Sequence, residues 1–183
     1  MAGIYIHIPF CKSRCIYCGF YSTTGLELRQ RYVDALCQEV SCRPSCETVA
    51  TIYLGGGTPS QLTISQLKQI FDTLYIYNKV EKDAEITIEC NPDDVTDEFA
   101  KGLTSLPVNR VSMGVQTFSD ERLRFLHRRH TAAQAIEAVA RLREVGIRNI
   151  SIDLMYGFPG ETLDDWHRDI EAAIALNVEH LSA

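Results

Sequence analysis

Three features of the sequence predict an α/β fold built on a parallel sheet. Short runs rich in β-branched residues alternate strictly with longer segments of helical periodicity, five times over, and a sixth short run closes the chain. Several helical segments open on side-chain caps. Residues that are unusual in a packed core (cysteines, a glycine run, single carboxylates, a glutamine) follow the strands rather than precede them. Strict β-α alternation implies right-handed crossovers and parallel pairing. The candidates are a doubly wound sheet and an incomplete (β/α) barrel. In both, ligands meet the C-terminal ends of the strands.

Taken in order, Ile4 to Ile8 reads as the first strand, ended by Pro9. Leu26 to Cys42 reads as a helix, with Val33, Leu36, Cys37 and Val40 at helical spacing on one face. Thr51 to Leu54 is the second strand, closed by Gly55-Gly56-Gly57-Thr58-Pro59. The capping box Thr63-x-x-Gln66 starts the next helix, whose core face is Ile64, Leu67, Phe71 and Leu74. Glu85 to Glu89 alternates as a third strand, followed by the turn Asn91-Pro92. Thr96 caps a short helix carrying Phe99 and Leu103, and Arg110 to Gly114 is the fourth strand. Ser119 caps one helical piece, and Thr131-x-x-Gln134 caps a second with Ile136, Val139 and Leu142 inward, stopping at Gly146. Asn149 to Leu154 is the fifth strand. Thr162 starts the last helix, with Leu163, Trp166, Ile170 and Ile174 inward, and Glu179 to Ser182 is the sixth strand. A final strand without a covering helix leaves an edge exposed, so residues 1–183 are expected to be a piece of a longer protein.

Composition narrows the function classes. Hydrophobic residues make up 45% of the 183, enough for a core, and the net charge of −6 argues against generic nucleic-acid binding, which needs a basic footprint. No apolar run approaches the roughly 18 residues of a transmembrane helix. A polar cysteine loop follows Ile8 at once, so the N-terminus lacks a signal-peptide pattern, and a cytoplasmic setting is expected. There the seven cysteines stay reduced.

Three of them form Cys11-x3-Cys15-x2-Cys18. Neither a strand nor one regular helix brings all three thiols together at that spacing, but a loop can. Thiolates select zinc or iron–sulfur clusters. Three satisfy three irons of a four-iron cluster and leave the fourth open. Zinc needs a fourth ligand, for which His7 is the candidate. Buried free thiols are the remaining alternative. Cys42 and Cys46 lack a third partner and fall at the opposite end of the strands, while Cys37 belongs to a helix core face.

The cysteine motif, with Tyr17 before its last cysteine, resembles the radical S-adenosylmethionine (SAM) superfamily. More narrowly, Tyr5-Ile-His-Ile-Pro-Phe-Cys11, Gly55-Gly-Gly-Thr-Pro59, Ser112-Met-Gly-Val-Gln116-Thr-Phe and Asp153-Leu-Met-Tyr-Gly-Phe-Pro159 resemble the branch of oxygen-independent coproporphyrinogen III oxidases and HemW-type heme chaperones. The resemblance implies a partial (β/α)6 TIM-like barrel, with residues 1–183 as the radical SAM core and the family's C-terminal part lying outside them. It implies a [4Fe–4S] cluster on Cys11, Cys15 and Cys18. SAM chelates the open iron and is cleaved by one electron to methionine and a 5′-deoxyadenosyl radical. No catalytic side chain beyond the cluster is implied.

By the same resemblance, Gly56, Gly57 and Thr58 receive the SAM amino group, and Glu89 contacts its ribose. Gln116, Arg128 and Asp153 line the same cavity, and Tyr5 and Tyr17 pack near cluster and adenine. Each alone is as readily a capping, solvated or core residue. The implied partners are heme or a porphyrinogen, a heme-acceptor protein, and a reductase or flavodoxin-type electron donor. One departure matters. The oxidases carry a further cysteine two residues after the third, where this chain has Phe20. Together with Leu126-His-Arg-Arg-His130, which is similar to the chaperones' Leu-Gly-Arg-x-His run, Phe20 favours the chaperones. It puts oxidase activity in doubt while leaving reductive SAM cleavage. His127 and His130 are candidate heme ligands. The arginines at 122, 124, 128 and 129 are either a solvated face or a clamp for propionates.

Overall fold

The structure, a computed structural model, describes residues 2–44 and 46–183. Strands β1 (Ala2–Ile8), β2 (Val49–Gly56), β3 (Val80–Cys90), β4 (Arg110–Gln116), β5 (Asn149–Leu154) and β6 (His180–Ser182) form one sheet in the order β1-β2-β3-β4-β5-β6. Every neighbouring pair is parallel. That order decides between the two candidate architectures. A doubly wound sheet reverses strand order at a switch point. A sheet that steps one way throughout is an opened, partial barrel.

Sequential order with right-handed crossovers puts every connecting helix on one side of the sheet. The side chains obey this. Ile6, Ile8, Ile52, Leu54, Ile86, Ile88, Val111, Met113, Ile150 and Ile152 are buried on the covered face. Helices α1 (Arg29–Cys42), α2 (Ile64–Tyr77), α3 (Asp97–Leu103), α4 (Asp120–Phe125), α5 (Ala132–Glu144) and α6 (Leu163–Ala175) complete that layer. Val33, Leu67, Ile70, Phe71, Leu74, Leu103, Val139 and Leu142 join the same core. The alternate residues, Tyr5, His7, Tyr53, Thr87, Glu89, Ser112, Ser151 and Asp153, fall on the other face. That face is polar. A parallel sheet covered on both sides reads as near-continuous apolar strands; these strands alternate because only one side meets helices.

The capping predictions hold. Thr63, Thr131 and Thr162 each form a capping box, and Thr96 and Ser119 accept from Phe99 N and Arg122 N. Such a cap contributes about 1 kcal/mol. Other expectations need correction. Leu26–Leu28 is a 3-10 turn, and α1 proper begins at Arg29 with no side-chain cap. Ile136 is half exposed, because α5 buries Ala135, Ala138, Val139 and Leu142 instead. On α6, Leu163 and Ile174 lie outward while Asp169 and Ala173 are buried. The helix is rolled towards Asp169, whose carboxylate accepts from Thr117 Oγ1 at 2.6 Å and Phe118 N at 2.8 Å. A buried charge finds its donors before an apolar stripe finds its cover. β3 starts at Val80, earlier than Glu85, because Val80 pairs with Val49.

Candidate functional site

The cysteine loop is held by its two ends. Phe10 bridges to Thr23, with Cys11 N donating to Thr23 O at 2.9 Å and Thr23 N to Pro9 O at 2.7 Å. Phe10 is buried edge-on against Tyr32, with ring centroids 5.4 Å apart. Between the clamped ends, Cys18 N donates to Cys15 O at 3.2 Å, and Ile16 N reaches Leu126 O beyond α4 at 3.3 Å. Cys11 is buried, and Cys15 and Cys18 are half-buried.

All three thiols line one cleft at the C-terminal ends of the strands. Gly56, Gly57 and Thr58 from the end of β2 line it too, as do Glu89 from β3, Gln116 from β4 and Asp153 from β5. Tyr17, Phe20 and Arg128 close its sides. The cleft therefore gathers every residue expected to hold the cluster or SAM except Tyr5, while His7, His127 and His130 lie outside its lining. Tyr5 is on the same sheet face but outside the cleft, stacked on Tyr53 at 6.0 Å. Sequence reasoning missed Asn91, Ser112 and Gly114, which also line it. Ser112 and Gly114 had a signal, since both fall on the polar alternate positions of β4.

The glycine run has a packing role the sequence did not reveal. A Cβ on Gly57 would sit 2.8 Å from Ile8 O and Pro9 C, and one on Gly56, at φ +111°, would sit 2.4 Å from His7 Nδ1. The run lies directly against the exit of β1. Gly57 N donates to Ile8 O at 2.8 Å, and Thr58 Oγ1 comes within 3.5 Å of Cys11 Sγ.

The polar walls are internally braced. Glu89 accepts from Tyr53 OH at 2.7 Å and Gly56 N at 3.1 Å. Burial, with the charge of Asp153 adding to it, holds the Glu89 carboxyl above the ordinary carboxylate range despite those donors. Burial raises Asp153 likewise. Burial also pushes the Tyr17 phenol up to about 12, so it stays protonated. Gln116 has φ +70° where β4 bulges against β5. A bulge re-aims a side chain, and a non-glycine residue in this region is strained, a feature that clusters at functional sites.

Arg128 enters the cleft from α4's far end, and Arg14 of the cysteine loop also lines it. Its Nη1 lies 3.5 Å from Cys15 Sγ, and its Nη2 donates to Asn91 Oδ1 at 2.9 Å and to Gly114 O. Its Nε is buried without a partner. Arg122 and Arg129 are held in ion pairs rather than open as a clamp, and Arg124 is exposed. Arg122 pairs with Asp165 at 2.9 Å and lies over the Phe158 ring, and Arg129 pairs with Asp93 at 2.7 Å and Asp94 at 3.1 Å.

His7 donates to or accepts from its neighbours away from the thiols, with Nε2 3.0 Å from Tyr21 O. Among the described residues, no three His, Cys, Asp or Glu side chains converge as ligands of a single ion. His130 is buried, with Nε2 3.1 Å from Val115 O, and burial lowers its pKa to about 4. His127 is exposed at φ +58°. That is a backbone conformation glycine adopts more readily than histidine.

The family model for the radical SAM superfamily matches residues 5–173. The chain belongs to the radical SAM superfamily. Curated relatives include the heme chaperone HemW of Bacillus subtilis, 40% identical across 100% of this chain and 49% of that protein. HemW of Lactococcus lactis is 39% identical across 97% of this chain and 47% of that protein, and HemW of Escherichia coli K12 is 36% identical. The chain spans about half the length of the curated relatives it matches. Among solved structures, the E. coli radical SAM enzyme coproporphyrinogen III oxidase (HemN) superposes with a TM-score of 0.89 at 30% identity, over 99% of this chain and 44% of that one. The methyltransferase TsrM of Kitasatospora setae shares the fold, at a TM-score of 0.66 and 17% identity. No helix among the described residues is long and apolar enough to cross a membrane.

Proposed function

We propose that residues 1–183 are the radical SAM core of a heme chaperone that holds a [4Fe–4S] cluster on Cys11, Cys15 and Cys18, binds SAM beside it, and helps pass heme to an acceptor protein in the cytoplasm. The carrying observation is the meeting of three thiols with Gly56, Glu89, Gln116, Arg128 and Asp153 around one cleft, in a chain whose curated relatives are heme chaperones. When bound, the cluster supplies the electron that cleaves SAM, delivered to it by a reductase or flavodoxin-type donor.

The chain's own residues bind and orient. The unpartnered Nε and the forked guanidinium of Arg128 suit a carboxylate. Glu89 and Asp153, whose carboxyl pKa values burial raises, suit hydroxyl donors. Gly57 and Thr58 bring backbone close to an amino group. Tyr17 covers the cluster side of the cleft, and Tyr5 contributes through Tyr53 rather than by contact.

A second reading, coproporphyrinogen III oxidation by propionate decarboxylation, is favoured by the likeness to the E. coli oxidase. Phe20 weighs against it. It stands at the cleft mouth, 72% exposed, and offers no donor where the resemblance implies the oxidases' extra cysteine. Heme titration alongside a turnover assay with SAM and a reductant tests the choice. Heme binding without porphyrinogen oxidation is expected; protoporphyrinogen formation would reverse it.

A further inference from the structure

Among the groups outside the cleft, one buried carboxylate touches three of its supporting segments. Asp94 follows the Asn91-Pro92 turn at the end of β3, and its side chain is 3% exposed. Oδ1 accepts from Lys12 Nζ at 3.0 Å and from Arg129 Nη2 at 3.1 Å. Oδ2 accepts from Ser60 Oγ at 3.0 Å and from Gln61 Nε2.

The donors' positions give this its meaning. Lys12 is next to Cys11. Ser60 and Gln61 close the turn that begins with Gly55 and carries Thr58. Arg129 is next to Arg128. The three segments follow β1, β2 and α4; Gly57 N to Ile8 O and Ile16 N to Leu126 O join them in pairs, and Asp94 is the side chain that meets all three. Each is a loop, and loops are the least stable parts of a fold. A carboxylate with both oxygens fully used, and both adjoining cations paired to it, ties them at one point.

We infer that Asp94 is the positioning residue of the site, a buried anchor that fixes Cys11, Thr58 and Arg128 relative to one another before any cofactor binds. The inference rests on the cluster reading for its function but not for its geometry. Charge-assisted hydrogen bonds in such a place are the strong ones, and Asp94→Asn keeps the shape while removing the charge that holds Lys12 and one of the two that hold Arg129, whose pair with Asp93 remains.

Amide hydrogen exchange on the metal-free chain tests the anchor directly. In Asp94→Asn, the Cys11, Thr23 and Gln61 amides, all hydrogen-bonded in the structure, should exchange about tenfold faster or more, the scale of a lost hydrogen bond to a charged group. Amides within β4 and β5 should keep their protection. Lys12→Met, in a side chain 48% exposed, should speed Cys11 and Thr23 alone and leaves the fold intact if Asp94→Asn does not. Unchanged exchange at Cys11 in both variants would overturn the anchor, and so would uniform acceleration across the sheet in Lys12→Met. Anaerobic loading supplies the second arm. Iron should leave either variant to a chelator on the order of 10–100-fold faster than wild type, as for other residues that orient metal ligands. Altered exchange with a wild-type chain that takes up no iron would retain the anchor and sink the cluster reading.

Discussion

Gly57 offers a sharp perturbation, because the atoms crowding it are backbone and cannot turn away. A Cβ there would lie 2.8 Å from Ile8 O, 2.8 Å from Pro9 C and 3.0 Å from Phe10 N, where ordinary contact begins at 3.4 Å. The overlap is about 0.6 Å with each of the first two (3.4 minus 2.8), and relieving it moves either the end of β1 or the glycine run. Overpacking of this kind costs about 1–3 kcal/mol. In a chain of this size each kcal/mol lowers Tm by roughly 2–4 °C, so Gly57→Ala should melt roughly 2–12 °C below wild type. The displaced atoms lead straight into Cys11, so iron uptake should fall more than stability does. Gly19 is the control. It sits in the same loop with nothing within 4 Å of a Cβ, and Gly19→Ala should keep both stability and loading. Thermal melts with iron content measured in parallel provide the assay. A Gly57→Ala chain with wild-type Tm and wild-type iron would refute the close approach of the two loops.

Other outcomes follow from the same geometry. Replacing Cys11, Cys15 or Cys18 by Ala should abolish cluster loading, whereas Cys42→Ala and Cys46→Ala, both at exposed thiols, should leave iron content unchanged. His127→Gly should stabilise the chain by about 1 kcal/mol in urea titration, since it removes a non-glycine residue from φ +58°. His130 has a folded pKa of about 4 against about 6.5 unfolded. Its depressed value means the stability it confers is present above pH 6.5 and is lost as pH falls towards 4. The loss is on the order of 3 kcal/mol. His130→Gln should flatten the fall in urea midpoint between pH 7 and pH 4.5, and an unchanged profile would mean the imidazole is not the titrating group.

Much of the fold is legible locally. Strand alternation, the threonine caps at 63, 131 and 162, and the polar residues after each strand are short-range signals, and they placed the elements and the rim. What stayed hidden depends on contacts far apart in sequence. The roll of α6 is set by Asp169 finding Thr117, 52 residues away. Lys12 and Asp94 are 82 residues apart, and nothing near either announces the other. Ile136 lies outward because α5 buries the neighbouring strip, Ala135, Ala138, Val139 and Leu142. The glycine run was legible as a ligand approach but not as a packing surface, since the segment it touches belongs to another strand. The polar face of the sheet was visible in the alternation itself, in Ser112 and Ser151 above all, but needed the one-sided crossovers to be recognised.

The claim on which everything else rests is that Cys11, Cys15 and Cys18 hold a four-iron cluster. Metal and sulfide analysis of the anaerobically reconstituted chain tests it most directly. About four irons and four sulfides per chain are predicted, falling to background in Cys15→Ala. One zinc per chain with no acid-labile sulfide would contradict it.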